Sequence, residues 1–367
     1  MIIERISILN FKNIEQEDLV FSPKMNCLFG NNGMGKTNLL DALHYLSFCK
    51  NHTSLPDSQL IMHDRDFAVL QANYLFDNIE EDIYCGIKRK QRKIFKRNKK
   101  EYERLSEHIG LLPLVMICPS DSDLIQGGSD ERRKFTDVVI SQYDKEYLHA
   151  LIKYNKALSQ RNSLLKEEHF SDPALFEIWE EQLDYFGQQI YQKRKKFILE
   201  FLPIFQEFHQ AICQEGELIG LEYESQLDHE NLRQLLKDKR DRDRLIGFTT
   251  SGIHKDDFNF TLERYLIRKT GSQGQNKTYL IALKLAQFNF LVKTGTSTPI
   301  LLLDDVFDKL DETRVEQIVK LVSQPQFGQI FITDTNRKYL DEILLKMDHD
   351  YKLFHVENGK FKEMGAV

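Results

Sequence analysis

The chain has 367 residues, of which 41% are hydrophobic and 29% charged, an ordinary globular composition long enough for two domains or one domain with an insertion. Its 50 basic against 56 acidic side chains give a net charge of −6, which excludes a protein that is basic overall and confines any nucleic-acid contact to a local patch. Five scattered cysteines (Cys27, Cys49, Cys85, Cys118, Cys213) without a Cys-x-x-Cys pair give neither a disulfide framework nor a zinc site, and fit a reducing cytoplasm. Glu4 and Arg5 interrupt the apolar N-terminus, so no secretory leader is expected, and no apolar run is long enough for a membrane helix.

In chain order, residues 2–29 read as strands, with Ile6 and Ile8 alternating with polar neighbours and Met25 to Phe29 ending at Gly30. Leu39, Leu40, Leu43 and Leu46 fall at helical spacing over 36–48. Residues 67–118 are β-rich, with short apolar runs broken at Asp77-Asn78 and by a dense charge block. Residues 130–212 carry helical patterns punctuated by Pro173 and Pro203, with Trp179 expected in the core of that lobe. A glycine-bearing turn at 271–274 then precedes a helix over 276–292, a buried strand at 299–303, a helix at 311–322 and a strand at 329–333. The expected organisation is α/β: one nucleotide-binding head built from 1–125 and 251–367, with a β-rich subdomain at about 66–118 and a helical lobe at 126–250.

Gly30-Asn31-Asn32-Gly33-Met34-Gly35-Lys36-Thr37 fits the phosphate-loop pattern Gly-x-x-x-x-Gly-Lys-Ser/Thr. Backbone N–H groups of such a loop close around phosphate oxygens. The lysine reaches the β- and γ-phosphates, the threonine hydroxyl holds Mg²⁺, and the following helix aims its positive end at the anion. A strand enters the loop and an apolar-periodic helix leaves it, so the reading is ATP with Mg²⁺ and not a plain glycine turn. Ile300 to Leu303 lead into Asp304 and Asp305, and carboxylates at a buried strand tip need partners. Asp304 is read as the Mg²⁺ acid alongside Thr37, and Asp305 as the catalytic acid that orients or activates water. Gly271-Ser272-Gln273-Gly274-Gln275 opens a second helix N-terminus, with Ser272, Gly274 and Gln275 as further nucleotide contacts.

These three elements in this order resemble the ABC-type ATPase head, in which the phosphate loop of one head faces the signature helix of another. Transporter subunits carry Leu-Ser-Gly-Gly-Gln where this chain has Gly271-Ser272-Gln273-Gly274-Gln275. The 235 positions between Thr37 and Ser272 exceed a compact transporter ATPase and fall short of a head with long coiled-coil arms. The signature is similar to that of the RecF family of bacterial recombination-mediator ATPases. Gly252 to Asp257, Glu131 to Phe135, Tyr154 to Leu158, Arg161 to Leu165, and Leu303 to Phe307 with Leu310-Asp311 resemble that family's stretches across nearly the whole chain. Three positions depart from it: Lys12 and Thr53 stand where arginine is usual, and Asp334 interrupts a run of threonines that would form the γ-phosphate switch.

The resemblance implies an ABC-type head with a mixed sheet and a helical arm lobe, binding ATP and Mg²⁺ and hydrolysing slowly as a timer. It implies ATP-dependent homodimers that engage DNA at gaps or single-strand/duplex junctions. It further implies work with RecR, RecO and RecA in DNA repair, replication restart and the SOS response, in the cytoplasm and away from membranes. The other class weighed is an ABC-type motor subunit coupled to another partner, which the signature and the helical lobe count against. A nuclease module is not expected, since about 30 residues follow Thr335.

Residues 88–100 hold nine Lys or Arg in thirteen, a run suited to neutralising phosphates or to keeping a strand edge solvated. Lys88, Arg89, Lys90, Arg92, Lys93, Lys96 and Arg97 are the candidate DNA contacts, with Ile94 and Phe95 anchoring a hairpin. Arg132, Arg133, Lys193, Arg194, Lys195 and Lys196 compete for the same role. His254 is read as a structural hydrogen-bonder unless the family block gives it a nucleotide or partner contact.

Overall fold

The computed structural model describes residues 1–53, 55–167, 173–213, 216–295, 297–307, 310–335, 344 and 350–365. It divides into two compact units: residues 1–121 with 287–367, and residues 122–286.

The first unit opens with β1 (Ile2–Phe11), β2 (Ile14–Val20), β3 (Met25–Phe29), α1 (Lys36–Phe48), β4 (Phe67–Phe76), β5 (Ile79–Lys88), β6 (Ile94–Arg97), β7 (Lys100–Glu101) and β8 (Leu114–Ile117). The second contains α2 (Asp123–Gln126), α3 (Ser129–Tyr143), α4 (Lys145–Leu165), α5 (Pro173–Cys213), β9 (Ile219–Glu224), α6 (Leu232–Asp238), α7 (Arg240–Ile246), β10 (Asp257–Leu262), β11 (Tyr265–Leu266) and α8 (Ile267–Thr270). Helix α9 (Gln273–Thr294) begins in the second unit, and the first resumes within it. The chain continues through β12 (Ile300–Asp304), α10 (Glu312–Val322), β13 (Ile330–Asp334), β14 (Tyr351–Glu357) and β15 (Lys360–Met364).

The first unit holds two six-stranded sheets. One is antiparallel, in the order β2-β1-β4-β5-β6-β7. The other runs β15-β14-β3-β13-β12-β8, parallel except for the terminal β14–β15 pair. Strands β3 and β12 are buried along almost their whole length, which accounts for apolar runs without alternation. Helix α1 is buried nearly all round and packs against strands of both sheets. The buried Gln329 amide ties the sheets together: it accepts from Ile3 N at 2.7 Å and donates to Ile3 O at 2.8 Å and Ser22 O at 2.9 Å.

In the second unit α4 and α5 pack along one another, and the sheet β11-β10-β9 lies with α3 and α5. The C-terminal limit of this unit falls at Ala286, whereas the sequence reading ended the helical lobe at 250. The physical reason is pairing: β10 is registered against β9 from Asp257↔Glu224 to Leu262↔Ile219, which carries residues after 250 into the fold of the lobe. Trp179 is only half-buried and Ile178 is exposed, while Phe176 and Leu183 form the core face of α5. Among the described residues no helix is long and apolar enough to cross a membrane.

Candidate nucleotide site

The phosphate loop joins the end of β3 to the start of α1, and its glycines answer to backbone needs. Gly30 (φ +153°) lies so close to β14 that an added Cβ would stand 2.3 Å from Val356 O. Gly35 (φ +117°) caps α1 in a conformation that side-chain-bearing residues rarely adopt. Lys36 is 4% exposed and donates from Nζ to Gly30 O at 2.7 Å and Asn31 O at 3.2 Å, so its charge is held inside the loop. Asn31, Asn32, Gly33 and Thr37 face solvent, and Met34 is half-buried. The loop is braced from two sides. Asn13 Nδ2 donates to Met34 O at 3.2 Å and its Oδ1 accepts from Asn38 at 2.7 Å, while Gly359 N donates to Met34 O at 2.8 Å. The sequence carries no signal for this bracing by Asn13 and Gly359, because only the fold brings them to the loop.

Parallel register sets the acids at the same sheet edge as the loop: Asp304 is level with Thr333, and Thr333 with Leu28. Ligands of parallel sheets bind outside such carboxyl ends. Thr37 Oγ1 donates to the Asp304 carboxylate, with Oδ1 at 3.0 Å and Oδ2 at 2.9 Å, across 267 positions of sequence. Thr333 Oγ1 donates to Asp304 Oδ1 at 2.7 Å and accepts from Asp305 N at 3.1 Å. Asp304 is 3% exposed; burial raises its pKa above the ordinary carboxylate range, with a smaller push from Asp305, against the lowering effect of the two hydroxyls. A divalent cation beside it would favour the ionised form. The hydroxyl and carboxylate oxygens of Thr37 and Asp304 are the hard donors that Mg²⁺ takes alongside water.

Asp305 is half-buried and sits at φ +48°, a left-handed conformation that costs about 1–2 kcal/mol for a residue with a side chain. The Thr333 hydroxyl holds its backbone there. Thr333 is thus joined to both acids, an arrangement that rests on β13 lying beside β12 and that no local pattern shows.

Ser272 and Gln275 form a reciprocal capping box at the start of α9. Gln275 N donates to Ser272 Oγ at 3.2 Å, and Ser272 N to Gln275 Oε1 at 2.9 Å. Ser272 is exposed and Gly274 half-buried. The N–H groups of Gln273 and Gly274 belong to the first helical turn, which has no intrahelical acceptors.

The remaining stretches that carried the resemblance meet inside the second unit. Arg132 donates to both Asp257 oxygens at 2.8 and 3.0 Å, and Arg133 to Asp256 O at 2.6 Å. Arg194, buried, reaches Asp256 Oδ2 at 3.2 Å and Asp137 at 2.8 Å. His254 bonds Tyr154 OH through Nδ1 at 2.8 Å and Thr249 O through Nε2 at 3.0 Å, and burial pushes its pKa down to about 4. It is therefore a neutral structural imidazole at pH 7. Arg132 and Arg194 are committed to buried ion pairs, Lys193 binds Asp144, Lys195 binds Asp228, and Lys196 lies exposed near Glu200. Of these six, Arg132 and Arg194 are buried, whereas Lys195 and Lys196 remain exposed.

The block at 88–100 resolves into a turn after β5 and the β6–β7 hairpin. Lys93 departs from the reading of a DNA contact: its Nζ points inward to Cys49 O at 2.6 Å, Tyr45 OH at 3.1 Å and Asp57 at 3.0 Å. Arg97 pairs with Glu81, and Lys96 lies over the Tyr84 ring. Lys88, Arg89, Lys90 and Arg92 remain exposed, with Arg89 donating to Arg65 O and Ser58 O and Arg92 to Glu103 O.

The sequence profile of the RecF/RecN/SMC N-terminal domain family matches residues 2–362. A DNA replication and repair protein RecF of Parabacteroides distasonis is 64% identical over 364 residues, covering 99% of this chain and all of the relative. RecF of Bacteroides thetaiotaomicron is 60% identical over the full length of both chains. A solved structure of the recombination mediator protein RecF with ATP, from the RecFOR pathway, superposes with TM-score 0.89 at 29% identity, covering 99% of this chain and 98% of that one. An Smc head domain from Pyrococcus furiosus, with TM-score 0.59 at 17% identity over 99% and 96% of the two chains, shares the fold.

Proposed function

Because the chain belongs to the RecF family of DNA replication and repair proteins, with the fold of the ABC-type ATPase head, we propose that it is an ATP-gated DNA-binding recombination mediator. The observation that carries the reading is the meeting of Thr37 with Asp304 at the ends of parallel strands, next to a loop closed by Lys36. In this reading the backbone of 30–37 holds the phosphates of ATP, and Lys36 leaves Gly30 O and Asn31 O for the β- and γ-phosphates. Thr37 and Asp304 hold Mg²⁺, which supplies neutralisation of phosphate charge. Asp305 orients the attacking water, and Thr333 keeps both acids in place.

Ser272, Gly274 and Gln275 serve the nucleotide of a second copy, so that ATP closes a homodimer and slow hydrolysis opens it. The dimer engages DNA at gaps or single-strand/duplex junctions and works in the cytoplasm with RecR, and indirectly with RecO, to help load RecA. Support comes from the ATP-bound relative in the RecFOR pathway and from the exposed signature turn. Equilibrium binding of a labelled ATP analogue to Lys36→Ala tests the phosphate assignment. Affinity should fall by at least tenfold, and unchanged affinity would reject Lys36 as the phosphate lysine.

A further inference from the structure

Behind the signature turn, three side chains converge that the nucleotide reading does not use. His209 and Cys213 stand four residues apart on α5 and therefore on one face of that helix, and Glu217 follows the helix end. Both helix residues are buried, while Glu217 keeps a solvent-facing edge at 14% exposure. Cys213 Sγ lies 3.3 Å from Glu217 Oε2, His209 Nε2 lies 3.7 Å from the same oxygen, and one ligand atom of each residue falls within 4.8 Å of the others. Tetrahedral zinc, with bonds of about 2.0–2.3 Å, sets its ligand atoms roughly 3.3–3.8 Å apart.

We propose that His209, Cys213 and Glu217 form a site for a thiophilic divalent cation of the Zn²⁺ class, coupled through Gln275 to the signature turn. The donor set is borderline-soft: one imidazole, one thiolate and one carboxylate, with the fourth position left to water. Thiolate and carboxylate together cancel the charge of the ion, which makes a neutral cluster suited to a buried place. On binding, the thiol hydrogen that now faces Glu217 leaves to solvent as a proton and the sulfur takes the metal. Glu217 uses Oε2 for this while its Oε1 accepts from Gln275 Nε2 at 2.8 Å, and Gln275 Oε1 in turn accepts from Ser272 N at 2.9 Å. The cation would thus fix Glu217 and, through one side chain, the N-terminal turn of α9. A second cluster, His52, Cys118 and Asp121, is less suited. There the sulfur lies 3.8 Å from both ring nitrogens of His52, so neither nitrogen lone pair is directed to a point that the sulfur shares.

The test is titration of the full-length protein with Co²⁺, the spectroscopic substitute for Zn²⁺, followed by displacement with Zn²⁺. One equivalent should give intense tetrahedral ligand-field bands and a thiolate-to-cobalt charge-transfer band, both erased by Zn²⁺. Cys213→Ser should abolish the thiolate band, whereas Cys118→Ser should keep it. Glu217→Gln, at the solvent-facing edge, keeps a side-chain oxygen for Gln275 and supports the result independently of how Cys213→Ser folds. Even second-layer partners of a metal are worth roughly tenfold in affinity, so this variant should lose at least that much. Absence of a thiolate band in the wild type, its persistence in Cys213→Ser, or unchanged Co²⁺ affinity in Glu217→Gln would overturn the proposal.

Discussion

Replacing Arg161 by methionine removes a charge from the centre of the helical unit while keeping most of its volume. The guanidinium is fully buried and donates to Asp243 Oδ2 at 2.7 Å, Glu180 Oε1 at 3.2 Å, Thr249 Oγ1 at 2.9 Å and Leu236 O at 3.0 Å. The two carboxylates fare differently once it is gone. Glu180 still has Arg240, at 2.6 and 3.2 Å. Asp243 keeps only neutral donors, from Thr250 N at 3.0 Å and Thr250 Oγ1 at 2.6 Å, and is left as a buried charge without a cation partner among the described contacts. Breaking a buried pair from one side costs about 3–5 kcal/mol. With a urea dependence of about 2 kcal/mol per molar, the unfolding midpoint should fall by roughly 2 M. The chain's single tryptophan, Trp179, adjoins Glu180 on α5, so its fluorescence reports on this unit. Adding Asp243→Asn to the variant should recover more than half of the loss, because the amide oxygen still accepts from Thr250 without carrying charge. A loss below about 1 kcal/mol, the range of an exposed pair, would refute this account of the stretch Arg161–Leu165.

Asp305→Asn should retain ATP binding and lose hydrolysis, leaving the nucleotide-bound dimer long-lived; hydrolysis at the parent rate, measured by phosphate release, would move the water-orienting role elsewhere. Replacing Lys88, Arg89, Lys90 and Arg92 by alanine should weaken all duplex sequences alike and flatten the log affinity–log salt plot by roughly 0.9 per lost phosphate contact. Lys93→Ala should leave that slope unchanged and lower stability by about 1–2 kcal/mol through its lost internal partners. For His254 the folded pKa of about 4 lies below the unfolded value of about 6.5. Between those values the unfolded chain takes up a proton that the folded chain refuses, so this group's contribution is lost as pH falls from about 6.5 to about 4, amounting to about 3 kcal/mol. Asp256, held up to about 6 by burial, acts with the opposite sign. The quantity to measure by denaturation is therefore the difference between wild type and His254→Gln, which should shift in favour of the variant on acidification; a pH-independent difference would contradict the assignment.

The nucleotide site was legible where chemistry and local geometry coincide. Gly30, Lys36 and Thr37 announce a strand–loop–helix anion site, and Asp304 ends an apolar strand. What joins them was not legible, because it depends on strand order: Thr333 reaches Asp304 and Asp305 only through β13 beside β12, and Asn13 and Gly359 brace the loop from distant segments. Periodicity placed the helices of the lobe but did not set its limit, since strand β10 pairs back to β9. Charge density marked 88–100 without distinguishing Lys93, which is turned inward, from Lys90, which is not. The stretches Glu131–Phe135 and Gly252–Asp257 carry the family likeness, but the Arg132–Asp257 ion pair and the Arg133 hydrogen bond to Asp256 O that join them become apparent only in the fold. Cysteine spacing gave no metal motif because the convergent ligands are of three different types, each four positions apart.

If ATP joins two copies through the exposed signature turn, the mass of the particle and the binding of nucleotide separate cleanly at Ser272. Sedimentation of wild type and Ser272→Arg, each with ATP and Mg²⁺, tests this joining most directly, alongside binding of a labelled ATP analogue to both proteins. ATP should double the sedimenting mass of the wild type, while Ser272→Arg should bind the analogue with unchanged affinity and remain monomeric. A Ser272→Arg protein that dimerises with ATP as the wild type does would contradict it.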